Sequence, residues 1–442
     1  MSVLENNQYK MKFSDLFALG LGFTIGGSVF ALTGVAIGMT GTSVFLVYLV
    51  GAAVILASML PTIIAGSTVP RTSVSYALSK EAFGHYGGGI YFWLFFIGRI
   101  AMAMNCTTFA VYFTSVFTKL NPTAVGCVIC ILFFFTNYFG LKSAVKVQKI
   151  MNMVLYISLG VYIVIGLPKV DFAMVFSSEN FVTHGAGGFM SAVSLVIFSL
   201  GGGMSVLEFG GMADNPKKNL PRVCLSVACT VGVLFACMAL VTAGVAPISQ
   251  TAGKPIANTA AMILSRPLFL LFVLGGCCLA ITTTINAAYG WYSTTCLRAV
   301  DDGWLPKLFG KRNRFGSPVY LQVLWLLFGL IPILAGLDNA VVTKVSTGLQ
   351  ILCNVIPNFG LLVLPKLYPD DWKESPFYSK GKTGVYLLTL IPTALTIALI
   401  YLNFRTYPRT VLICVLVAIV LGAVYVPVVG HSLKKKQQIK QA

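Results

Sequence analysis

The sequence predicts an all-α protein that crosses a membrane many times. Three observations point to this fold class: 57% of the 442 residues are hydrophobic, only 10% are charged, and long apolar runs recur along the whole chain. Soluble domains carry roughly 25% charged residues, whereas about 20 consecutive apolar residues suffice for one membrane-spanning helix. The polar start, residues 1–14, precedes a run long enough to span, so we expect no cleaved signal peptide.

Twelve apolar runs are predicted to be transmembrane helices. In chain order they cover residues 15–35, 41–66, 89–117, 123–140, 147–168, 188–213, 222–246, 267–297, 318–336, 341–365, 383–402 and 409–430. If the N-terminus is inside, 23 of the 31 Lys and Arg residues fall in cytoplasmic segments, seven fall outside and Arg99 falls within a span. Because basic residues accumulate on the cytoplasmic side, we expect a plasma (inner) membrane protein with both termini in the cytoplasm.

Two of these runs are interrupted by glycine. Gly201, Gly202 and Gly203 lie in the sixth span, and Gly26 and Gly27 lie in the first. Each glycine costs a helix about 1 kcal/mol relative to alanine, and irregular backbone at membrane depth survives only where it is buried or lines a cavity. Matched interruptions in two halves of a chain indicate a transporter built from inverted repeats. Close packing of helices on small residues is the alternative.

The matched interruptions divide the chain into regions. We expect a cytoplasmic N-terminus at 1–14, a core at 15–365 made of inverted repeats 15–168 and 188–365, appended helices 11 and 12 within 366–430, and a basic cytoplasmic tail at 431–442. Each repeat would contain five spans, with the first span of each discontinuous. The tail, like much of the net charge of +18, is expected to face anionic lipid and not nucleic acid.

Three segments together resemble the amino acid–polyamine–organocation transporter superfamily. Gly26–Phe30 is similar to the family's Gly-Ser-Gly-[Ile/Val]-Phe. Phe198–Gly202, followed by Asn215–Arg222, is similar to Phe-x-Gly-[Phe/Tyr]-Glu and then Asn-Pro-x-[Lys/Arg]-x-[Ile/Leu]-Pro-Arg. Arg298–Pro318 resembles an Asp-Gly-x-x-Pro-x-x-Phe loop that ends in Gly-[Ser/Thr]-Pro. The resemblance, which is to bacterial amino acid permeases and antiporters, implies a secondary amino acid transporter that works by alternating access.

The resemblance also implies a substrate site. Free N–H groups at a helix start suit the carboxylate of an amino acid, and free carbonyl groups at a helix end suit its ammonium group. By resemblance, the N–H groups around Gly26, Gly27 and Ser28 hold the carboxylate, the carbonyls of Thr24, Phe198 and Gly201 hold the ammonium group, and the Phe198 ring is a gate. The full set of expected substrate-binding residues is Thr24, Ile25, Gly26, Gly27, Ser28, Arg99, Met102, Phe198, Gly201, Gly202, Met204 and Glu208.

This chain departs from the family pattern at two positions. Met204 stands where the motif ends in Glu, and Gly27-Ser28 inverts the usual order. Glu208 lies four residues further, on the same helical face, and either replaces the missing carboxylate or lies near the cytoplasmic surface in a structural role. We leave both interpretations open.

Arg99 is expected near the middle of the membrane, because it lies ten residues into the third span, about 15 Å at 1.5 Å per residue. An arginine at that depth normally faces a cavity or a partner. It would line the substrate cavity, extend towards the interface or pair with Glu208. A cavity-lining Arg99 would repel a second positive charge, so we expect a neutral or anionic substrate. The alternative is an antiporter of basic amino acids or polyamines.

No cofactor or metal is expected, apart from a coupling ion. Thr282, Thr283 and Asn286 form a polar patch in the eighth span that suits Na⁺, or that joins helices by hydrogen bonds. The other candidate ion is H⁺, although no lysine lies in the middle of span five. The expected partners are an amino acid and membrane lipid, with no nucleic acid, in a monomer or homodimer.

The alternatives are three other functional classes. A membrane enzyme is disfavoured because His85, His184 and His431 are scattered and no nucleophile–base pair is evident. A channel is disfavoured because the sequence contains no filter-like repeat. A substrate-sensing protein that does not transport stays open, since bound substrate without flux would look the same in sequence.

Overall fold

The computed structural model describes residues 10–441, with the side chains of all but Phe198 and residues 434–441. The predicted segments 1–14 and 431–442, and the gate predicted for the Phe198 ring, therefore lie partly or wholly outside the described residues. Every regular element in the described range is helical, and its extended contacts are two isolated bridges, Met11 with Ala213 and Thr72 with Phe209. The predicted all-α fold class is confirmed.

The helices follow one another with short connections. The first ten are α1 (Phe13–Thr24), α2 (Ser28–Thr40), α3 (Val44–Ser58), α4 (Leu60–Thr68), α5 (Val74–Gly98), α6 (Ala101–Val116), α7 (Pro122–Tyr138), α8 (Leu141–Gly166), α9 (Phe172–Val175) and α10 (Gly185–Leu200). The others are α11 (Pro216–Gly244), α12 (Ile248–Thr251), α13 (Ile256–Ile263), α14 (Arg266–Leu271), α15 (Leu279–Asp301), α16 (Val319–Leu334), α17 (Asn339–Val355), α18 (Gly360–Leu367), α19 (Pro369–Lys373), α20 (Gly381–Phe404) and α21 (Arg409–Gln441).

Tighter and wider helical turns join several of these helices. Turns of 3₁₀ helix cover Gly41–Ser43, Leu167–Lys169, Gly201–Glu208, Gly210–Met212, Lys307–Gly310, Ile356–Phe359 and Tyr378–Lys380. A π-helical turn, Phe272–Cys278, joins α14 to α15. Such departures from α geometry in mid-span often accompany functional sites.

The described helices confirm a multi-pass membrane protein. Nine helical segments in residues 10–441 are long and apolar enough to cross a bilayer. Three shorter apolar helices, α1, α7 and α16, complete the set, and each of the twelve predicted runs overlaps at least one of these segments. The count of twelve, the inverted repeat and the region boundaries remain predictions.

Several spans are interrupted near their middle. The first breaks at Ile25–Gly27, between α1 and α2, and the third breaks at Arg99–Ile100, between α5 and α6. The second and tenth spans break beside Pro61 and Pro357, because proline lacks the N–H that an α-helix needs. The interruption of the third span was not predicted.

The interrupted helices meet at the centre of the bundle. Helix α1 packs against the 3₁₀ segment Gly201–Glu208 and against α8, α11 and α15. Helix α6 packs against α7, α15, α16 and α17. The gap between α1 and α2 therefore lies beside the second glycine-rich segment, with α6, α15 and α17 around it.

One face of the bundle is closed by backbone pairing. The Met11 N–H donates to the carbonyl of Met212 at 2.8 Å, and the Asp214 N–H donates to the carbonyl of Met11 at 2.8 Å. The Ser73 N–H donates to the carbonyl of Glu208 at 3.0 Å. We call this the closed face. The ion pairs that reinforce it are Asp15–Lys149, Arg71–Glu81 and Lys80–Asp302.

Candidate functional site

A cavity of about 510 Å³ lies at the centre of the bundle. It extends from both glycine-rich interruptions towards Pro255, Asn339 and Asn403, which lie on the face opposite the closed one. Its wall includes Phe23, Thr24, Gly26, Gly27, Ser28, Asn105, Thr108, Tyr112, Ser194, Ser199, Gly201, Gly202, Thr284, Tyr292, Ser346, Gln350 and Asn354. The volume is in the usual range for a small-molecule site, about 300–1,000 Å³.

The first interruption leaves a helix start exposed to this cavity. Helix α1 ends at Thr24, whose carbonyl accepts a hydrogen bond from the Gly26 N–H at 2.9 Å, and α2 begins at Ser28. Gly27 precedes α2 and offers no side chain to cap its first N–H groups. Those groups lack intrahelical partners. An anion in the cavity would meet them together with the positive end of the helix dipole.

The second interruption has a different backbone. Helix α10 continues without a gap into the 3₁₀ segment Gly201–Glu208, so the chain tightens instead of unwinding. A Cβ built on Gly202 would lie 2.6 Å from the carbonyl oxygen of Phe23, and one on Gly203 would lie 2.6 Å from Val227 Cγ1. Gly202 and Gly203 therefore allow close packing between helices, which is the alternative interpretation of this glycine run.

Six of the predicted substrate-binding residues share this cavity. They are Thr24, Gly26, Gly27, Ser28, Gly201 and Gly202. Five others lie behind the wall, with 0–4% of their surface exposed: Ile25, Arg99, Met102, Met204 and Glu208. These five residues are therefore not at the cavity surface, and their part in substrate binding stays a prediction. The Phe198 side chain is outside the description.

Arg99 is fully buried in an aromatic cage. Its guanidinium carbon lies 4.2 Å from the ring centre of Phe95, 4.9 Å from that of Trp291 and 4.7 Å from that of Tyr292. Nε donates to the carbonyl of Phe95 at 3.0 Å, and Nη2 donates to Gln350 Oε1 at 2.6 Å, while Nη1 has no partner among the described residues. Arg99 does not snorkel, because it is fully buried, and no ion pair joins it to Glu208 or to another carboxylate among the described residues.

Gln350 connects this charge to the cavity. An arginine can only donate hydrogen bonds, so the bond to Nη2 fixes the Gln350 oxygen towards Arg99. The Gln350 amide group Nε2 makes no hydrogen bond within the described chain, and Gln350 is part of the cavity wall. The cavity therefore presents an N–H donor that is polarised by a buried cation.

Glu208 belongs to the closed face. Its Oε1 accepts a hydrogen bond from the Ser75 N–H at 3.2 Å, and its backbone carbonyl accepts one from Ser73. Thr295 lies beside the carboxylate, whose Oε2 has no other partner in the described chain. The carboxylate thus joins the start of α5, the 3₁₀ segment and α15.

The polar patch on α15 is hydrogen-bonded throughout. Thr282 and Thr283 donate to carbonyls of their own helix. Asn286 donates to Gln148 and accepts from Thr136 and Asn137, with all three distances between 2.8 and 3.1 Å. The Asn286 oxygen is already an acceptor, whereas the Thr282 and Thr283 oxygens donate and keep lone pairs that a cation could use. The sodium site stays a prediction.

Several wall residues escaped the sequence analysis. Asn105 and Thr108 lie three residues apart on α6 and face the cavity, a spacing that could have indicated a polar stripe. Ser346, Gln350 and Asn354 repeat every four residues on α17 and give the same signal. Tyr292 carried no such signal.

Comparison with known proteins identifies the family. Residues 11–436 match the family of amino acid permeases. The cadaverine/lysine antiporter of Escherichia coli (strain K12) is 23% identical over 295 residues, which cover 63% of this chain and 65% of that protein, or slightly less than two thirds of its length.

Two further relatives are matched over longer stretches. The gamma-aminobutyric acid permease of Escherichia coli (strain K12) is 23% identical over 337 residues, 71% of this chain and 70% of that protein. The aspartate-proton symporter of Bacillus subtilis (strain 168) is 25% identical over 431 residues, 89% of this chain and 80% of that protein. Because the family match extends over nearly the whole chain, the protein belongs to the amino acid permease family, whose members are membrane transporters and not enzymes.

Proposed function

We propose that this protein is a secondary active transporter that moves an amino acid, or a close derivative, across the plasma membrane by alternating access. The observation that carries the proposal is one cavity that borders both glycine-rich interruptions within a membrane-spanning bundle. Discontinuous helices at the middle of the membrane are where transporters of this kind bind their substrates. The names of the relatives, which include an antiporter, a permease and a symporter, agree with this proposal.

The zwitterionic end of the substrate is proposed to bind at the first interruption. The carboxylate accepts hydrogen bonds from the N–H groups around Gly26, Gly27 and Ser28, and the helix dipole of α2 favours its charge. The ammonium group donates to backbone carbonyls, for which Thr24, Phe198 and Gly201 are the candidates. This arrangement satisfies both charges without placing a charged side chain in the cavity.

The substrate side chain is proposed to be neutral or anionic. No Asp, Glu, Lys or Arg is among the described residues that line the cavity, so a second cationic group would lack a counter-ion there. Arg99, one side chain behind the wall, would repel it. Like charges 4–6 Å apart at an effective dielectric near 20 repel by roughly 3–4 kcal/mol. A carboxylate or amide oxygen would instead accept a hydrogen bond from Gln350 Nε2.

A second candidate is an antiporter of basic amino acids or polyamines. The observation that favours it is the similarity to the cadaverine/lysine antiporter. A substrate-sensing protein that does not transport is the remaining alternative. Reconstitution into proteoliposomes tests both alternatives. An antiporter would exchange cations, whereas a sensing protein would bind its substrate without flux.

Three further properties belong to the proposal. The coupling ion is H⁺ or Na⁺, with Thr282, Thr283 and Asn286 as the candidate sodium site, and replacing external Na⁺ by choline tests the choice. Both termini lie in the cytoplasm, so tags at Met1 and after Lys440 should resist surface labelling of intact cells. The protein is a monomer or homodimer, which light scattering in detergent distinguishes.

The deciding experiment is uptake into proteoliposomes with competition. Aspartate, glutamine, leucine, arginine, lysine and cadaverine compete against whichever labelled amino acid is taken up. We expect inhibition by acidic or neutral amino acids and weak inhibition by the three cations. Strong inhibition by the cations with none by the other three would contradict the proposed substrate class.

Removing the buried charge tests its role directly. Arg99→Gln should weaken acidic competitors about 10–100-fold and improve cationic ones, because the polarised donor and the repulsion are lost together. Asn354→Leu is the matched control, since it removes a polar wall group on the same helix as Gln350 without changing charge. The control should change overall affinity while leaving the ratio of acidic to cationic inhibition unaltered.

A further inference from the structure

A second cavity opens on the outside of the helix bundle at the closed face. Its volume is about 720 Å³, and it lies between α3 and α4 on one side, the start of α11 on another and residues 371–377 on the third. None of the residues that line it lines the central cavity. We call it the lateral cleft.

Both main walls of the lateral cleft change from apolar to polar in the same direction. On the first wall Leu56, Leu60 and Ile63 lie deeper than Ser67 and Thr68, which end α4. On α11, which runs the opposite way, Leu225 lies deeper than Lys217 and Lys218, which begin the helix. The cleft is therefore apolar along its depth and polar at one rim, where the spans end.

The depth of the cleft matches one leaflet of a bilayer. Leu56 and Thr68 are twelve residues apart, which is at most about 18 Å at 1.5 Å per residue, because the span breaks between α3 and α4. Half of the roughly 30 Å hydrocarbon core is about 15 Å. A lipid acyl chain aligned with the helices would fill the apolar part and bring its head group to the rim.

The charged side chains at the rim restrict which lipid head group fits there. Lys217 lies between Asp371, at 3.2 Å, and Glu374, at 2.8 Å, whereas Lys218 is exposed and has no ion pair within the described residues. Two lysines and two carboxylates give a rim with no net charge. A head group that carries one phosphate and one primary ammonium group complements both signs. The phosphate suits Lys218, and the ammonium group can donate hydrogen bonds to the two carboxylates.

We propose that the lateral cleft binds a phospholipid with a primary-amine head group from the adjacent leaflet. A choline head group has the same net charge but cannot donate hydrogen bonds, and a glycerol head group lacks the cation. Phosphatidylethanolamine should therefore bind about tenfold more tightly than phosphatidylcholine or phosphatidylglycerol, as expected for a charge-assisted hydrogen bond.

Native mass spectrometry of the detergent-purified full chain tests this order with each of the three lipids at equal concentration. Asp371→Asn with Glu374→Gln should reduce retention of phosphatidylethanolamine to that of phosphatidylcholine. Asp370→Asn is the control, because Asp370 pairs with Lys373 on the same short helix but does not line the cleft. Ala57→Trp should block all three lipids, whereas Ala53→Trp, one turn earlier on the same helix and also exposed, should block none.

Three outcomes would overturn the proposal. Tighter binding of phosphatidylglycerol would mean that the lysines alone select the lipid. Equal retention of the three lipids, or retention that survives Ala57→Trp, would mean that lipid binds elsewhere or without selection. Occupation of the cleft by a second copy of the chain, seen as a dimer that Ala57→Trp dissociates, would also contradict it. The comparison of lipids on the wild-type protein decides the question even where a variant fails to fold, and it needs no transport.

Discussion

The two glycine-rich interruptions differ although their sequences are alike. At the first, the chain leaves α1 at Thr24 and starts α2 at Ser28, so a helix start faces the cavity. At the second, α10 passes into the 3₁₀ segment Gly201–Glu208 without a gap. Glycine permits open backbone in one place and close contact in the other. A glycine run in a span therefore indicates a departure from regular helix without indicating which kind.

The different backbones of the two interruptions indicate different roles, although both interruptions are rich in glycine. The first interruption is proposed to supply hydrogen-bond donors to the substrate carboxylate, whereas Gly202 and Gly203 of the second form a closely packed surface against α1 and α11. Substitutions at the second should therefore damage the fold, and substitutions at the first should damage binding alone. The predictions below follow this distinction.

The largest effect is expected for Gly202→Leu. Its Cβ would lie 2.6 Å from the Phe23 carbonyl oxygen, which is backbone and cannot move aside. Even one extra methylene group in a packed core costs about 1–3 kcal/mol, and leucine adds four heavy atoms. We expect a large fall in Tm together with loss of substrate binding, measured by thermal unfolding in detergent and by equilibrium binding.

The matched control is Gly160→Leu. Gly160 lies on α8, and a Cβ there would meet no atom within 4 Å. This change should leave Tm and binding near the wild-type values, and helix propensity favours it slightly. A Gly202→Leu protein with unchanged Tm would contradict the close contact between the two interrupted spans.

A smaller and more selective effect is expected for Ser28→Pro. Ser28 is the first residue of α2, where proline fits the helix and deletes only an N–H that lacks an intrahelical partner. If that N–H binds the substrate carboxylate, its loss should weaken binding about 10–100-fold, the usual range for a hydrogen bond to a charged group. Because Gly27 lies in the right-handed helical region, which a following proline disfavours, we expect a modest fall in Tm, and binding is measured at a temperature at which the variant is folded.

Ser28→Ala separates the backbone from the side chain. It removes the hydroxyl and keeps the N–H, so affinity should fall far less than in Ser28→Pro. Isothermal titration with the substrate identified by uptake measures both variants. Equal losses of affinity in Ser28→Pro and Ser28→Ala would assign the contact to the hydroxyl group. The first interruption would then not differ from the second by offering backbone N–H groups.

The sequence predicted the fold class and the neighbourhood of the site better than the orientation of its side chains. Gly26, Gly27 and Ser28 could be found because a local motif and a helix start coincide at one place. The partner of Arg99 could not be found, because Gln350 is 251 residues away and an amide carries no distinctive sequence signal. The break at Arg99–Ile100 was not predicted either, and Met102, which follows it, is fully buried and is not among the residues that line the cavity.

The second interruption shows the same limit in another form. Met204 and Glu208 were grouped by helical spacing as alternative positions for one substrate-facing carboxylate. That spacing assumes 3.6 residues per turn, whereas this segment is 3₁₀ with about three. The 3₁₀ segment packs on α1, and its own sequence pattern does not predict the tighter winding.

The smallest effect is expected at Glu208 and tests whether this residue holds the closed face. Glu208→Gln keeps an oxygen that accepts from the Ser75 N–H, so substrate affinity should stay within about threefold of wild type. Glu208→Leu removes that acceptor and leaves the N–H without a partner, at a cost of about 1–3 kcal/mol. States in which this face is open should then become more populated.

Cys296 is a native reporter of such opening. It is 1% exposed on α15 and follows Thr294 and Thr295, which contact Ser73 and the Glu208 carboxylate on the closed face. Its alkylation by a maleimide, followed by peptide mass spectrometry, should be at least about fivefold faster in Glu208→Leu, because 1 kcal/mol corresponds to that factor, and nearly unchanged in Glu208→Gln. Exposed Cys229 and Cys414 provide internal controls whose labelling rates should be equal in all three proteins. If instead Glu208→Gln abolished binding while Cys296 stayed protected, the carboxylate would act on the substrate, and the second interruption would share the role of the first.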